Sequence, residues 1–167
     1  MKYFLIGIEK GNVICMSNLA LYYMFLGDYH NAIKYNLMAI EKNHIKSMNN
    51  IALCYKNIGD DKNKLKYYLM SIEKGDIIPS MYNLGIDYKN NGDNENAIKY
   101  FSMIVENEKN RGSDETLYEY SLGNMNYCIK NYNKLEMYFK YFKYLTPENV
   151  NECFELYDEY LENKKIE

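Results

Sequence analysis

A single arginine (Arg111), two histidines (His30 and His44), no Cys-x-x-Cys pair and no long apolar run mark this chain of 167 residues, and each scarcity removes a class of function. Arginine dominates bidentate recognition of phosphate and guanine. Lys plus Arg at 20 against Asp plus Glu at 23 gives a net charge of −3, so no basic field invites nucleic acid. The four cysteines, Cys15, Cys54, Cys128 and Cys153, lie far apart on apolar positions of helical stretches and away from either histidine. That spacing offers neither a zinc site nor a disulfide framework and points to an intracellular, reducing and cytoplasmic setting. No apolar run approaches the ~20 residues of a membrane span, and Glu9 and Lys10 end the short run at the amino terminus, which therefore does not read as a signal. A phosphate loop, a paired-carboxylate arrangement and a nucleophile–base signature are all missing, so no enzyme activity, cofactor or metal is expected.

What the chain does contain is repetition. Asn18-Leu19-Ala20-Leu21-Tyr22-Tyr23 returns as Asn50-Ile51-Ala52-Leu53-Cys54-Tyr55 and Asn83-Leu84-Gly85-Ile86-Asp87-Tyr88, at spacings of 32 and then 33 residues. Between these copies lie Tyr3 to Gly11, Tyr35 to Asn43 and Tyr67 to Gly75, which end on Ile-Glu-Lys-Gly or Ile-Glu-Lys-Asn. Gly11, Asn43 and Gly75 are residue types that close a helix in the left-handed conformation. Gly27-Asp28, Gly59-Asp60 and Gly92-Asp93 supply a left-handed stop followed by an aspartate able to start the next helix. The unit is helix, tight turn, helix, and a period in this range marks a solenoid. With 23 Asn, 20 Tyr and 19 Lys, composition inflates the apparent meaning of any one asparagine or tyrosine.

The expected architecture is a single all-α domain over 1–167: a half repeat at 1–11, repeats at 12–43, 44–75, 76–112 and 113–145, and a capping helix at 146–163. Glu106 to Asp114 reads as a longer polar loop. With it, Ser121-Leu122-Gly123 aligns with Asn83-Leu84-Gly85 at a period of 38, and Tyr132, Tyr138 and Phe139 align with Asn94, Tyr100 and Phe101. Ala20, Ala52, Gly85 and Gly123 form one small-residue slot, and Ala32 and Ala97 mark another in which Lys64 departs. Thr146-Pro147 opens the capping helix, with an apolar stripe of Val150, Cys153, Phe154, Tyr157, Tyr160 and Leu161 and a polar face that includes Asn149.

The Asn-Leu-Ala/Gly-x-x-Tyr run, the Gly-Asp turn and the Ala-Ile-Lys-Tyr segments at Ala32 and Ala97 resemble the tetratricopeptide repeat, whose period is about 34. The Ile-Glu-Lys-Gly endings equally resemble the related Sel-one-like repeats. Either resemblance implies a right-handed superhelical α-solenoid of antiparallel helix pairs whose first helices line a concave groove for peptides or proteins. By that register the groove is lined by Asn18, Leu21, Met24 and Phe25, by Asn50, Leu53 and Asn57, by Asn83, Ile86 and Asn90, and by Ser121, Asn124 and Cys128. Asn18, Asn50 and Asn83 then form a ladder, and a carboxamide, both donor and acceptor, can grip the backbone of an extended peptide. The family's clamp for acidic C-terminal tails has no counterpart, since its basic positions fall on Ser17, Pro79 and Asn83. Tyr23, Tyr55 and Tyr88, with Tyr35, Tyr67, Tyr100 and Tyr138, read as core packing between adjacent units, and Lys34, Lys66 and Lys99 as a solvated outer row. The function so implied is a non-catalytic protein-interaction module holding a peptide or protein segment, without membrane or nucleic-acid partners. The alternative is a structural or assembly protein that self-associates through an uncapped amino-terminal repeat edge.

Overall fold

The computed structural model describes residues 2–111, 115–132, 137, 140–147, 149–151 and 155–156. It divides into two compact units, Met1–Met81 and Tyr82–Glu167. Among the described residues all regular structure is helical: α1 Lys2–Glu9, α2 Val13–Phe25, α3 Tyr29–Ile40, α4 Lys46–Ile58, α5 Asp61–Lys74, α6 Ile77–Asn90, α7 Asn94–Arg111, α8 Glu115–Tyr132 and a 3-10 turn, Phe142–Tyr144. Helices packed in succession as antiparallel hairpins place the chain in the α-solenoid class.

In the first unit α1 packs on α2, α2 on α3, α3 on α4 and α4 on α5, and α2 also touches α4. All six predicted stop residues, Gly11, Gly27, Asn43, Gly59, Gly75 and Gly92, have φ between 64° and 107°. Asn43 is the informative one, because a side chain is strained there and asparagine tolerates the left-handed region best among residues with a Cβ. The predicted starts are equally direct. Asp28 and Asp60 cap α3 and α5, each accepting from the backbone N–H of the asparagine three residues on, at 3.1 and 3.0 Å. The Nδ2 of that same asparagine also donates, to the other carboxylate oxygen: Asn31 to Asp28 and Asn63 to Asp60, both at 2.6 Å, and Asn96 to Asp93 at 2.8 Å. In three Asp-x-x-Asn boxes the carboxylate thus accepts two bonds from one asparagine and fixes the start of the helix. Asn12 caps α2 in the ordinary way, through Cys15 N–H at 3.1 Å.

Small residues set how closely helices approach. Ala20, Ala32, Ala52 and Ala97 have no exposed surface. At Gly85 a Cβ would lie 2.7 Å from the ring of Phe101, so only glycine fits. Lys64, standing where Ala32 and Ala97 stand, keeps its side chain 11% exposed and brings its ammonium to Asp61 at 2.6 Å, so the stem is covered while the charge is paired.

Four expectations are corrected. First, residues 106–111 are not loop: α7 runs to Arg111. Glutamate, lysine and arginine are good helix formers, so a polar composition by itself does not end a helix. Residues 112–114 lie outside the described residues. Second, the fourth first-helix has another register. Ser47, Ser80 and Ser121 are all fully buried, Ile51, Leu84 and Met125 are core, and Asn57 and Asn131 each donate to the carbonyl four residues back, at 2.8 and 2.7 Å. These coincidences require a step of 41 residues from Leu84 to Met125, in place of 38. Gly123 is accordingly exposed with open space around it, and Asn126 fills the small-residue slot. Third, the two tyrosine series, read from the sequence as packing between adjacent units, pair with each other. They stack on each other within each hairpin beside its turn: Tyr23 on Tyr35, Tyr55 on Tyr67 and Tyr88 on Tyr100, with centroids 5.5 to 5.7 Å apart. Burial raises the Tyr55 hydroxyl's pKa, with Tyr67 next in effect, and burial followed by Tyr88 does the same to Tyr100.

The fourth correction concerns Asn149. Thr146 begins a turn as expected, accepting at Oγ1 from Asn149 N–H at 3.4 Å and at its carbonyl from Val150 N–H at 2.9 Å. Asn149, however, is buried. Its Nδ2 donates to Asn126 Oδ1 at 2.9 Å, and Oδ1 also accepts from Thr146 N–H at 3.1 Å. Asn126 Nδ2 donates to Tyr144 O at 3.0 Å and to Leu122 O at 2.9 Å. Two buried carboxamides satisfy each other, which a polar-face reading has no way to anticipate. Most of the expected capping helix, including Cys153, Phe154, Tyr157, Tyr160 and Leu161, lies outside the described residues, as do Tyr138 and Phe139.

Candidate peptide-binding face

The faces of the first helices left free of the core carry the residues of interest. On α2 the stripe Ile14, Asn18, Leu21 and Phe25 is exposed, Phe25 at 88% and Leu21 at 46%. On α4 the equivalent Asn50 and Leu53 are half-buried. Between them lies a cavity of about 280 Å³ lined by Ser17, Leu21, His44, Lys46, Asn49, Asn50, Asp76 and Pro79. Ser17 is tied to its own helix through Ile14 O at 3.2 Å, His44 Nδ1 is 2.9 Å from Ser47 Oγ, and Asn49 accepts from Ser80 at 3.3 Å. Asn18 is exposed and Asn50 half-buried, and neither carboxamide is hydrogen-bonded to a described residue.

The other expected residues are placed less uniformly. Asn57 is exposed, but its carboxamide is committed to Leu53 O. Asn83, Ile86 and Asn90 belong to the second unit, where Asn83 is engaged by a neighbour, Ile86 is half-buried and Asn90 is exposed. Ser121 and Cys128, placed on the groove by the 38-residue register, are fully buried and contribute no exposed surface. Asn124 takes the slot of Asn18, Asn50 and Asn83, and Tyr127 that of Leu21, Leu53 and Ile86. Lys89 Nζ donates to Asn124 Oδ1 at 2.7 Å and sits over the Tyr127 ring at 4.6 Å, while Asn124 Nδ2 bonds Tyr120 O at 2.8 Å. The correct register was present in the sequence as Asn124-Met125 and the following Cys128. Leu122-Gly123 hid it by copying the letters of Leu84-Gly85.

Two segments match models described as tetratricopeptide repeat, residues 15–40 and 80–110. The chain carries tetratricopeptide repeats. The matched segments fall on α2 with α3 and on α6 with α7. No curated protein matches the sequence. Among solved structures, the crystal structure of BtubC (BKLC) from P. vanneervenii is similar, with a TM-score of 0.63 at 14% identity over 89% of this chain and 64% of that one. Likeness at that identity concerns the fold alone, and this chain spans under two thirds of the other's length.

A tetratricopeptide repeat is a protein-interaction module, and the chemistry of the described residues suits that use. Burial pushes the Cys54 and Cys128 thiols up to about 11, which keeps them protonated and poor nucleophiles. No group of three or more His, Cys, Asp or Glu that could hold a metal exists among the described residues, and no described helix is long and apolar enough to cross a membrane.

Proposed function

We propose that the chain is a non-catalytic module that holds an extended peptide or protein segment along the open face of its first helices. One observation carries this reading: α2 and α4 repeat the pair Asn18 with Leu21 and Asn50 with Leu53, and one member of each pair, Leu21 and Asn50, lines a cavity of about 280 Å³. Carboxamides with no partner among the described residues can bond a peptide backbone, while leucines three residues on accept its apolar side chains. Free cysteines at Cys15, Cys54 and Cys128 support a reducing, cytoplasmic location for it. Fluorescence anisotropy of labelled extended peptides provides the test. Asn18→Ala with Asn50→Ala should weaken binding about tenfold, the scale of one to two lost hydrogen bonds, and unchanged affinity removes the reading.

A second reading, self-association, is favoured by α1, where Tyr3 is 85% exposed beside Leu5 and Ile6 at 41% and 40%. Sedimentation across concentration tests it. A monomer at every concentration counts against it.

A further inference from the structure

Lys89 differs from the other described lysines of the second unit in its surroundings. It is half-buried, and its described partners are neutral: the Asn124 carbonyl oxygen at 2.7 Å and the Tyr127 ring at 4.6 Å, with the Cys128 thiol near enough to feel its charge. No carboxylate neutralises it among the described residues. Three ammonium protons serve one carboxamide and one ring face, which leaves a donor for an incoming acceptor. A partly desolvated cation strengthens any bond it then makes to an anion. Around it the α8 stripe Tyr120, Asn124 and Tyr127 spaces two aromatic rings, 62% and 54% exposed, about the carboxamide. Asn124 occupies the asparagine slot of the repeat, so this cation stands at the rung where the other first helices present an amide and an apolar side chain.

We propose that Lys89, Asn124 and Tyr127 form a subsite for a carboxylate side chain of a bound peptide, so that the preferred segment carries Asp or Glu opposite the fourth repeat. Lys89 supplies the charge, Asn124 holds the ammonium in place, and Tyr127 supports its stem and lines the entry. The proposal rests on the peptide-binding reading of this face, and the experiment separates the two.

Acetate alone is the first probe, read through the side-chain amide resonances of Asn124 in the full chain. A saturable shift is expected in the wild type and in Lys89→Arg, and its loss in Lys89→Met, which keeps an apolar stem over Tyr127. Lys99→Met is the matched control, since Lys99 is exposed over Tyr100 at 5.7 Å with no carboxamide bound. The second probe is a labelled peptide alternating glutamate with leucine and serine, beside its glutamine counterpart. Glutamate should bind about tenfold more tightly than glutamine in the wild type, the scale of one charge-assisted bond, and equally in Lys89→Met. Equal binding of both peptides by the wild type, or equal loss in Lys89→Met and Lys99→Met, overturns the subsite and leaves peptide binding standing. If neither peptide binds while acetate shifts Asn124, the peptide-binding reading fails and the occupant named here fails with it. Displacement by inorganic phosphate as effective as by acetate and peptide together overturns the carboxylate assignment in favour of a general anion site.

Discussion

The Met1–Met81 and Tyr82–Glu167 units solve one packing problem with different means. In the first, hairpin helices of 12 to 14 residues meet over alanines, and α2, α3 and α5 each start on a cap bonded to the residue three positions on. In the second, α7 and α8 each run 18 residues, Gly85 admits the Phe101 ring where alanine serves elsewhere, and Asn126 fills the same slot with a polar network reaching 23 residues along the chain. Short-range closure keeps the first unit regular. Longer-range closure gives the second its individual shape and makes it depend on single residues.

The largest effect should come from Phe101, whose side chain is fully buried. Phe101→Ala should cost about 3–5 kcal/mol in urea unfolding, and Gly85→Ala about 1–3 kcal/mol by overpacking. Combining them should cost less than the sum, because the added methyl occupies space the ring vacates. Strict additivity breaks the claim that the two positions are coupled. Gly123→Ala sharpens the contrast, since open space surrounds that glycine. It should stabilise α8 by about 0.5–1 kcal/mol through helix propensity, opposite in sign to Gly85→Ala.

Asn126→Ala should follow in size, at about 1–3 kcal/mol, by leaving the buried Asn149 carboxamide and the Thr146 N–H without their acceptor. Proteolysis should then cut the chain beyond Tyr132 faster than in the wild type while the first unit is unaffected.

Smaller again is an acid dependence of the first unit. Hydrogen bonds from the Asn31 side chain, then its backbone N–H, hold the Asp28 carboxyl below its ordinary 3.8, and Asn63 does the same for Asp60, backbone first. A folded pKa below the unfolded one contributes stability that is present above pH 3.8 and is lost as pH falls through the lowered value. Circular dichroism melts should show that loss below pH 3.8, reduced in Asp28→Asn with Asp60→Asn; an unaltered acid limb refutes the assignment. Asn57→Ala should be smallest, within about 0.5 kcal/mol, because its bond is exposed and local.

How much of this was legible in the sequence follows from the range of each interaction. The stop residues and the Asp28, Asp60 and Asp93 starts are set by backbone sterics and by bonds spanning three residues, so local spelling reveals them. Asn31, Asn63 and Asn96 were legible too, as three Asp-x-x-Asn spellings at the repeat spacing, but abundance of asparagine concealed them. The fourth register was spelled by Asn124-Met125 but masked, because Leu122-Gly123 mimics the wrong answer and only the burial of Ser121 and Met125 decides between them. Asn149 depends on Asn126, 23 residues away, and no local pattern encodes that pairing. On the candidate face, Asn18, Leu21 and Asn50 were found from the register, whereas Lys89 emerged only once α6 and α8 supplied its neighbours.

The Asp-x-x-Asn box has a genetic consequence. Because its bonds begin and end inside a single hairpin, a segment such as residues 44–75 carries the closure of its own Gly59-Asp60 turn with it when copied or deleted. Unequal recombination can therefore lengthen or shorten the array in whole cassettes without disturbing neighbouring turns. The stretch from Asn126 to Asn149 lacks that portability, and duplication through it would separate partners that only fold together.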